Sequence, residues 1–168
     1  FVRYADDCNV YVKSLRAGQR VLEALRRCYD KLRLQVNEAK TAVAVVWGRK
    51  FLGYCLRRSP KGSVKLAIAL QAQDKARGRL RRITKRNRGR SMEQVVQELN
   101  DYVPGWRAYF QLAQTPTVLR ELDAWLRRRL RALQLKQWKT RPRTYRALRR
   151  LGATEAVATA GSCNGSLK

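Results

Sequence analysis

Between Lys75 and Arg90 the chain places nine basic residues (75, 77, 79, 81, 82, 85, 86, 88 and 90) and no acid. No other feature restricts the fold so strongly, because a run of like charges must lie on a surface, in water or against an anion. A second acid-free run, from Arg127 to Arg150, carries eleven more (127, 128, 129, 131, 136, 139, 141, 143, 146, 149 and 150). The whole chain of 168 residues holds 38 Lys and Arg against 12 acids, a net charge of +26. Such a charge repels itself in a compact monomer unless a polyanion neutralises it. A solvated charged face is the plain reading of any one run. Two long runs backed by the whole-chain imbalance favour nucleic acid. No membrane is expected, since no apolar run approaches the roughly 18 residues that a span needs.

Other chemistries drop out early. Histidine is absent, which removes His-based acid–base catalysis and His-ligated zinc. Cys8, Cys28, Cys55 and Cys163 show no CxxC spacing and read as buried small hydrophobes in a reducing compartment. A hydrophobic content of 45% is enough to build a core. The chain has no initiator Met and no signal peptide and begins inside a β-type run, so it is expected to be part of a longer polypeptide.

In chain order, Phe1–Ala5 and Cys8–Val12 are β-type runs flanking Asp6 and Asp7. A hairpin with two carboxylates at its tip follows from that pattern. Adjacent carboxylates suit a hard cation such as Mg²⁺, and paired metal ions clamp the oxygens of a phosphoryl transfer. The same two aspartates would equally serve as a plain turn. Ser14 is placed to cap a helix running to about Leu34, with Leu22, Leu25, Tyr29 and Leu32 on one face. A polar connection over 35–40 leads to a buried strand over Thr41–Trp47. Further strands are expected over Lys50–Leu56 and Val64–Leu70, around a Ser59-Pro60-Lys61-Gly62 turn.

From Lys75 the pattern turns helical and basic. One basic helix runs to about Lys85. Ser91-Met92-Glu93-Gln94 fits a capping box for a helix bearing Val95, Leu99, Tyr102, Trp106 and Tyr109, which Pro104 should kink. Thr115-Pro116 starts a helix with Leu119, Leu122, Leu126, Leu130 and Leu133 on one stripe. Pro142 should break it before a short helix over Thr144–Leu151. Trp138 and Tyr145 stand among the second run's cations and would stack on unpaired bases or, more commonly, pack in a core. Residues 153–168 are small and polar and read as a flexible tail. The fold class is α+β: an antiparallel sheet with a packed helix, then an all-α bundle of three to five helices.

At this point the motifs resemble a known family. Tyr4-Ala5-Asp6-Asp7 is similar to the YxDD hairpin of reverse transcriptases, in the form typical of bacterial group II intron enzymes. Asn37-Glu38-Ala39-Lys40-Thr41 is similar to that family's N-x-x-K-T segment, and Phe51-Leu52-Gly53-Tyr54 to its FLG[FY] strand. Arg86–Gly89, Leu99–Tyr102, Gly105–Phe110 and Leu119–Lys139 look like its thumb, or maturase X, region. The resemblance runs from residue 1 to about 152. It implies the C-terminal part of a reverse transcriptase palm over 1–70 and a helical thumb/maturase domain over 71–152.

By that resemblance Asp6 and Asp7 are catalytic and ligate Mg²⁺, while Tyr4 and Ala5 floor the site under the primer end. Lys40 lies near the dNTP triphosphate, and Phe51, Leu52 and Gly53 hold the primer. Nucleic acid falls to Arg79, Arg82, Lys85, Arg86, Arg88, Arg127, Arg128, Arg131, Lys136 and Lys139. The implied partners are group II intron RNA, the RNA/DNA template–primer and dNTP. The implied activities are RNA-directed DNA polymerisation and intron splicing, in the bacterial cytoplasm. Oligomeric state is not legible.

Three departures qualify these expectations. The family's third carboxylate comes from an earlier palm strand, and the fingers and a Cys/His endonuclease module have no counterpart in these residues. The chain alone is therefore expected not to polymerise. A non-catalytic RNA-binding or splicing module is the alternative from another class. Retron, diversity-generating and CRISPR-associated reverse transcriptases are the alternatives from within it.

Overall fold

The computed structural model describes residues 1–5 and 7–163. They fall into two compact units, Phe1–Arg49 and a second beginning at Lys50.

In the first unit β1 (Val2–Tyr4) and β2 (Asp7–Asn9) pair antiparallel, with Val2 opposite Asn9, Arg3 opposite Cys8 and Tyr4 opposite Asp7. Helix α1 (Leu15–Lys31) starts where Ser14 Oγ accepts the Ala17 amide at 3.2 Å. That bond satisfies one of the donors that a helix start leaves unpaired. Gly18 is the buried residue of α1. A Cβ there would sit 2.5 Å from Val43 Cγ1 and 3.4 Å from Val12 Cγ2, so the absent side chain lets both segments close on the helix.

Residues 41–47, expected as a buried strand, form no strand here. Val43 and Val46 are half-buried, while Val45 is exposed. A strand needs a continuous ladder, and the run makes no more than a single bridge, at Trp47, among the described residues. Residues 35–40 form the polar connection expected, in which Asn37 Oδ1 and its carbonyl both accept the Lys40 amide, at 3.2 and 3.1 Å.

The second unit opens with a three-stranded antiparallel sheet in the order β3 (Lys50–Phe51), β4 (Tyr54–Arg58), β5 (Val64–Ile68). The single strand expected over 50–56 is instead a hairpin. Leu52 at φ 50° and Gly53 at φ 78° form its two-residue turn, the left-handed pair that matches strand twist. The Ser59–Gly62 turn forms as expected, with the Gly62 amide donating to Ser59 O at 2.9 Å.

Five helices follow: α2 (Leu70–Ile83), α3 (Met92–Tyr109), α4 (Pro116–Trp138), α5 (Arg141–Arg150) and α6 (Glu155–Cys163). The capping box on α3 is complete: Ser91 Oγ accepts from Gln94 N at 3.3 Å, and Gln94 Oε1 accepts from Ser91 N at 3.1 Å. Helix α3 continues past Pro104 to Tyr109. Pro142 lies in the first turn of α5 and starts that helix instead of breaking one, because a first-turn residue has no intrahelical N–H bond to lose.

Leu80 and Ile83 of α2, Val95 and Leu99 of α3 and Leu133 of α4 form the buried core. Met92, Tyr102, Leu122, Trp125, Leu126 and Leu130 pack around it. The apolar stripes of three helices thus meet as their spacing predicts.

Residues Glu155–Cys163, expected within a flexible tail, form α6 against α5. Ala158 is fully buried, and a Cβ on Gly161 would lie 2.8 Å from Leu148 Cδ1. The small residues that read as loop composition are what lets the two helices approach. Residues 164–168 of the expected tail lie outside the described residues. Of the four cysteines expected to be buried, Cys55 of β4 is, whereas Cys8, Cys28 and Cys163 are exposed, on β2, α1 and the last position of α6, where little packs against them. The outcome is the α+β architecture expected, with small antiparallel sheets followed by a helical bundle.

Within the second unit, polar bonds tie β3–β5 to the helices. Gln114 N donates to Leu66 O at 2.7 Å, and Leu66 N donates to Gln114 Oε1 at 3.2 Å. Tyr54 Oη donates to Tyr109 O at 2.5 Å, and Lys50 Nζ bonds Gln71 Oε1.

Candidate nucleic-acid interface

Asp7 opens β2 directly opposite Tyr4, the last residue of β1. Ala5 follows at φ 50°, its carbonyl accepting from Arg3 Nε at 2.9 Å. Asp6, the other carboxylate expected at this tip, lies outside the described residues. The Asp7 carboxylate is exposed and makes no hydrogen bond or ion pair among the described residues. It fits a hard cation as one oxygen donor. Among the described residues no group of three His, Cys, Asp or Glu side chains stands together to complete such a site. Tyr4, Ala5 and Asp7 are brought together on the hairpin, and Lys40 is exposed in the same unit.

Phe51, Leu52 and Gly53 come together on the β3–β4 turn of the second unit. The turn is held from α3: Tyr109 Oη donates to Leu52 O at 3.0 Å. The Phe110 ring stands 3.1 Å from where a Gly53 Cβ would be, so only glycine fits without displacement. Phe110 is in turn packed by Trp106 and Tyr54, with ring centroids 4.9 and 5.2 Å away.

The ten cations assigned to nucleic acid are all exposed. What the sequence does not reveal is that the two basic runs converge. Arg129 Nε donates to Thr84 Oγ1 at 2.7 Å, Lys136 Nζ to Asn87 Oδ1 at 2.6 Å, and Gln137 Nε2 to Arg90 O at 2.7 Å. These three bonds fasten the α2 end and the following turn along α4. Arg128 and Arg129 of α4 consequently stand beside Arg86, and Lys136 beside Asn87.

Few of them are neutralised. Arg127 pairs with Asp123 at 3.0 Å and Arg79 with Glu98 at 3.7 Å. Arg82, Lys85, Arg86, Arg128, Arg131 and Lys139 have no carboxylate partner among the described residues.

Arg129 belongs to this site and was not singled out from sequence, where it reads as one more solvated charge. Its guanidinium also lies over the Trp125 ring, 5.2 Å from the centroid, and Arg81 lies over the same ring at 5.9 Å. Burial, and then the Arg81 and Arg86 guanidiniums, hold Arg129 below the ordinary arginine range. The Trp125–Arg129 spacing of one helical turn was the available signal. Trp138 and Tyr145, the stacking candidates, are half-buried.

Among the described residues no helix is long and apolar enough to cross a membrane. Residues 1–56 match the family model for reverse transcriptase (RNA-dependent DNA polymerase), and residues 73–152 match that for the group II intron maturase-specific domain. A search of curated proteins found no match to the chain.

Proposed function

On the premise that this chain belongs to the group II intron-encoded reverse transcriptase/maturase family, joining part of an RNA-directed DNA polymerase to a maturase segment that binds nucleic acid, we propose what its own residues do. The exposed cations of the α2 end, the turn after it and α4 hold intron RNA and the template–primer. One observation supports this above the others: two basic runs far apart in sequence are fastened side by side, most of their charge unneutralised. Phosphate contacts of this kind position a strand without reading its bases.

Asp7, with Asp6, holds Mg²⁺ at the opening hairpin, Tyr4 and Ala5 lie under the primer end, and Lys40 meets the dNTP triphosphate. Bound Mg²⁺ would offset charge on the reacting phosphoryl oxygens. The β3–β4 turn at Phe51, Leu52 and Gly53 holds the primer strand, its shape kept by Tyr109 and Phe110.

The test separates chemistry from binding. In Mg²⁺-dependent primer extension by a polymerase containing these residues, Asp7→Asn is expected to abolish dNTP incorporation while RNA affinity stays within about twofold. Equal loss of both would make Asp7 a structural residue. A second reading, a splicing module without catalysis, draws on the absence of a third donor beside Asp7 among the described residues. It predicts that Asp7→Asn leaves splicing unaffected.

A further inference from the structure

Trp125 and Arg128 of α4 line two adjoining depressions on the helical unit, of about 230 and 340 Å³. Arg86 and Arg129 complete the first, and Arg77 and Arg81 the second. We propose that this pair of depressions is a backbone subsite of the RNA interface, taking successive phosphates of one RNA strand, with Arg128 shared between them. The inference rests on the proposed RNA-binding function and adds a place and a mode to it.

Three observations carry it. Among the described residues, none of Arg77, Arg81, Arg86 and Arg128 has a carboxylate within ion-pair distance, and Glu121, the one acid on the walls, pairs with none of them. A cluster of like charges of this kind is stabilised by an anion. Guanidinium forks match phosphate geometry in pairs, which a lone lysine does not. The depressions are adjacent and share a cation, so the ligand they suit repeats its charge at short intervals, as a phosphodiester chain does.

The aromatic ring explains why backbone and not base is bound. Two guanidiniums, of Arg81 and Arg129, already lie over Trp125. The ring orients arginines by its quadrupole and is not offered as a stacking platform. Arg129 is further fixed by Thr84, so the wall does not have to be ordered when the strand arrives. The subsite should accordingly be indifferent to sequence.

A salt titration of binding to a fluorescein-labelled oligouridylate, using the full chain, tests this. The Arg86→Gln/Arg128→Gln double variant changes two exposed side chains and should melt as the wild type does. It is compared with Arg57→Gln/Arg58→Gln, which removes the same charge from exposed positions on β4 away from the depressions. Each lost phosphate contact on a single strand flattens the log–log salt slope by about 0.7, so the first variant should lose roughly 1.4 and the second almost none. The same shift should appear on an oligoadenylate. Equal slopes for the two variants, with the wild type still steep, would overturn the subsite and leave RNA binding standing. A wild-type slope near zero would remove the RNA-binding reading itself.

Discussion

Tyr109 Oη donates to the carbonyl of Leu52 at 3.0 Å, so the last residue of a long helix fixes the tip of a hairpin 57 residues earlier in the chain. The reverse bond runs from Tyr54 Oη to the carbonyl of Tyr109 at 2.5 Å. The turn proposed to hold the primer is therefore shaped by the helical half of the same unit.

Tyr109→Phe keeps the ring and deletes the donor to Leu52. A net hydrogen bond contributes about 0.5–1.5 kcal/mol, and the second unit should lose about that much in a urea titration. Faster amide exchange on the β3–β4 turn should accompany it. Gly53→Ala should cost more, about 1–3 kcal/mol, since it combines φ 78° with a ring 3.1 Å from the new methyl group.

Arg129→Leu removes the link between α4 and Thr84 while leaving most of the side-chain bulk. Hydrogen bonds to charged groups contribute about 1.5–3 kcal/mol, and a loss in that range is expected in the same titration. Arg129→Lys should not restore it, because an ammonium lacks the fork that reaches Thr84 Oγ1, Thr84 O and Arg81 O together.

Ser91→Ala opens the capping box of α3. The expected cost is about 1 kcal/mol, read as a lowered urea midpoint. Ser91→Asp should recover most of it.

Burial raises the phenol of Tyr54, and also that of Tyr102, above the ordinary value of 10.0. The folded chain keeps both protons to higher pH than the unfolded chain does. Their contribution is complete below the ordinary value and disappears as pH rises through the raised ones. Urea midpoints should thus fall in the alkaline range, and fall less in a Tyr54→Phe/Tyr102→Phe variant. Identical alkaline profiles would assign the loss to other groups.

Local rules were legible in the sequence where they are decided locally. Ser14 and Ser91 cap the helices they precede, and the Leu122, Leu126, Leu130 and Leu133 stripe of α4 reaches the core. The apolar run over 50–56 concealed a turn, because Leu52 adopts a left-handed backbone that only its partners on α3 explain. The run over 41–47 has strand composition but makes no more than a single bridge, at Trp47, among the described residues. In α6, Ala158 and Gly161 read as loop residues until α5 is placed beside them. The candidate interface was legible as charge but not as a surface. Arg129 and Trp125 acquire their roles only when α2 lies along α4.

The account stands on the converged cations gripping RNA through its phosphates. Its most direct test is the affinity of the wild-type chain for RNA across a series of salt concentrations. A steep, linear fall of log affinity with log salt, corresponding to several released counterions, is the predicted result. An affinity that does not change with salt would contradict it.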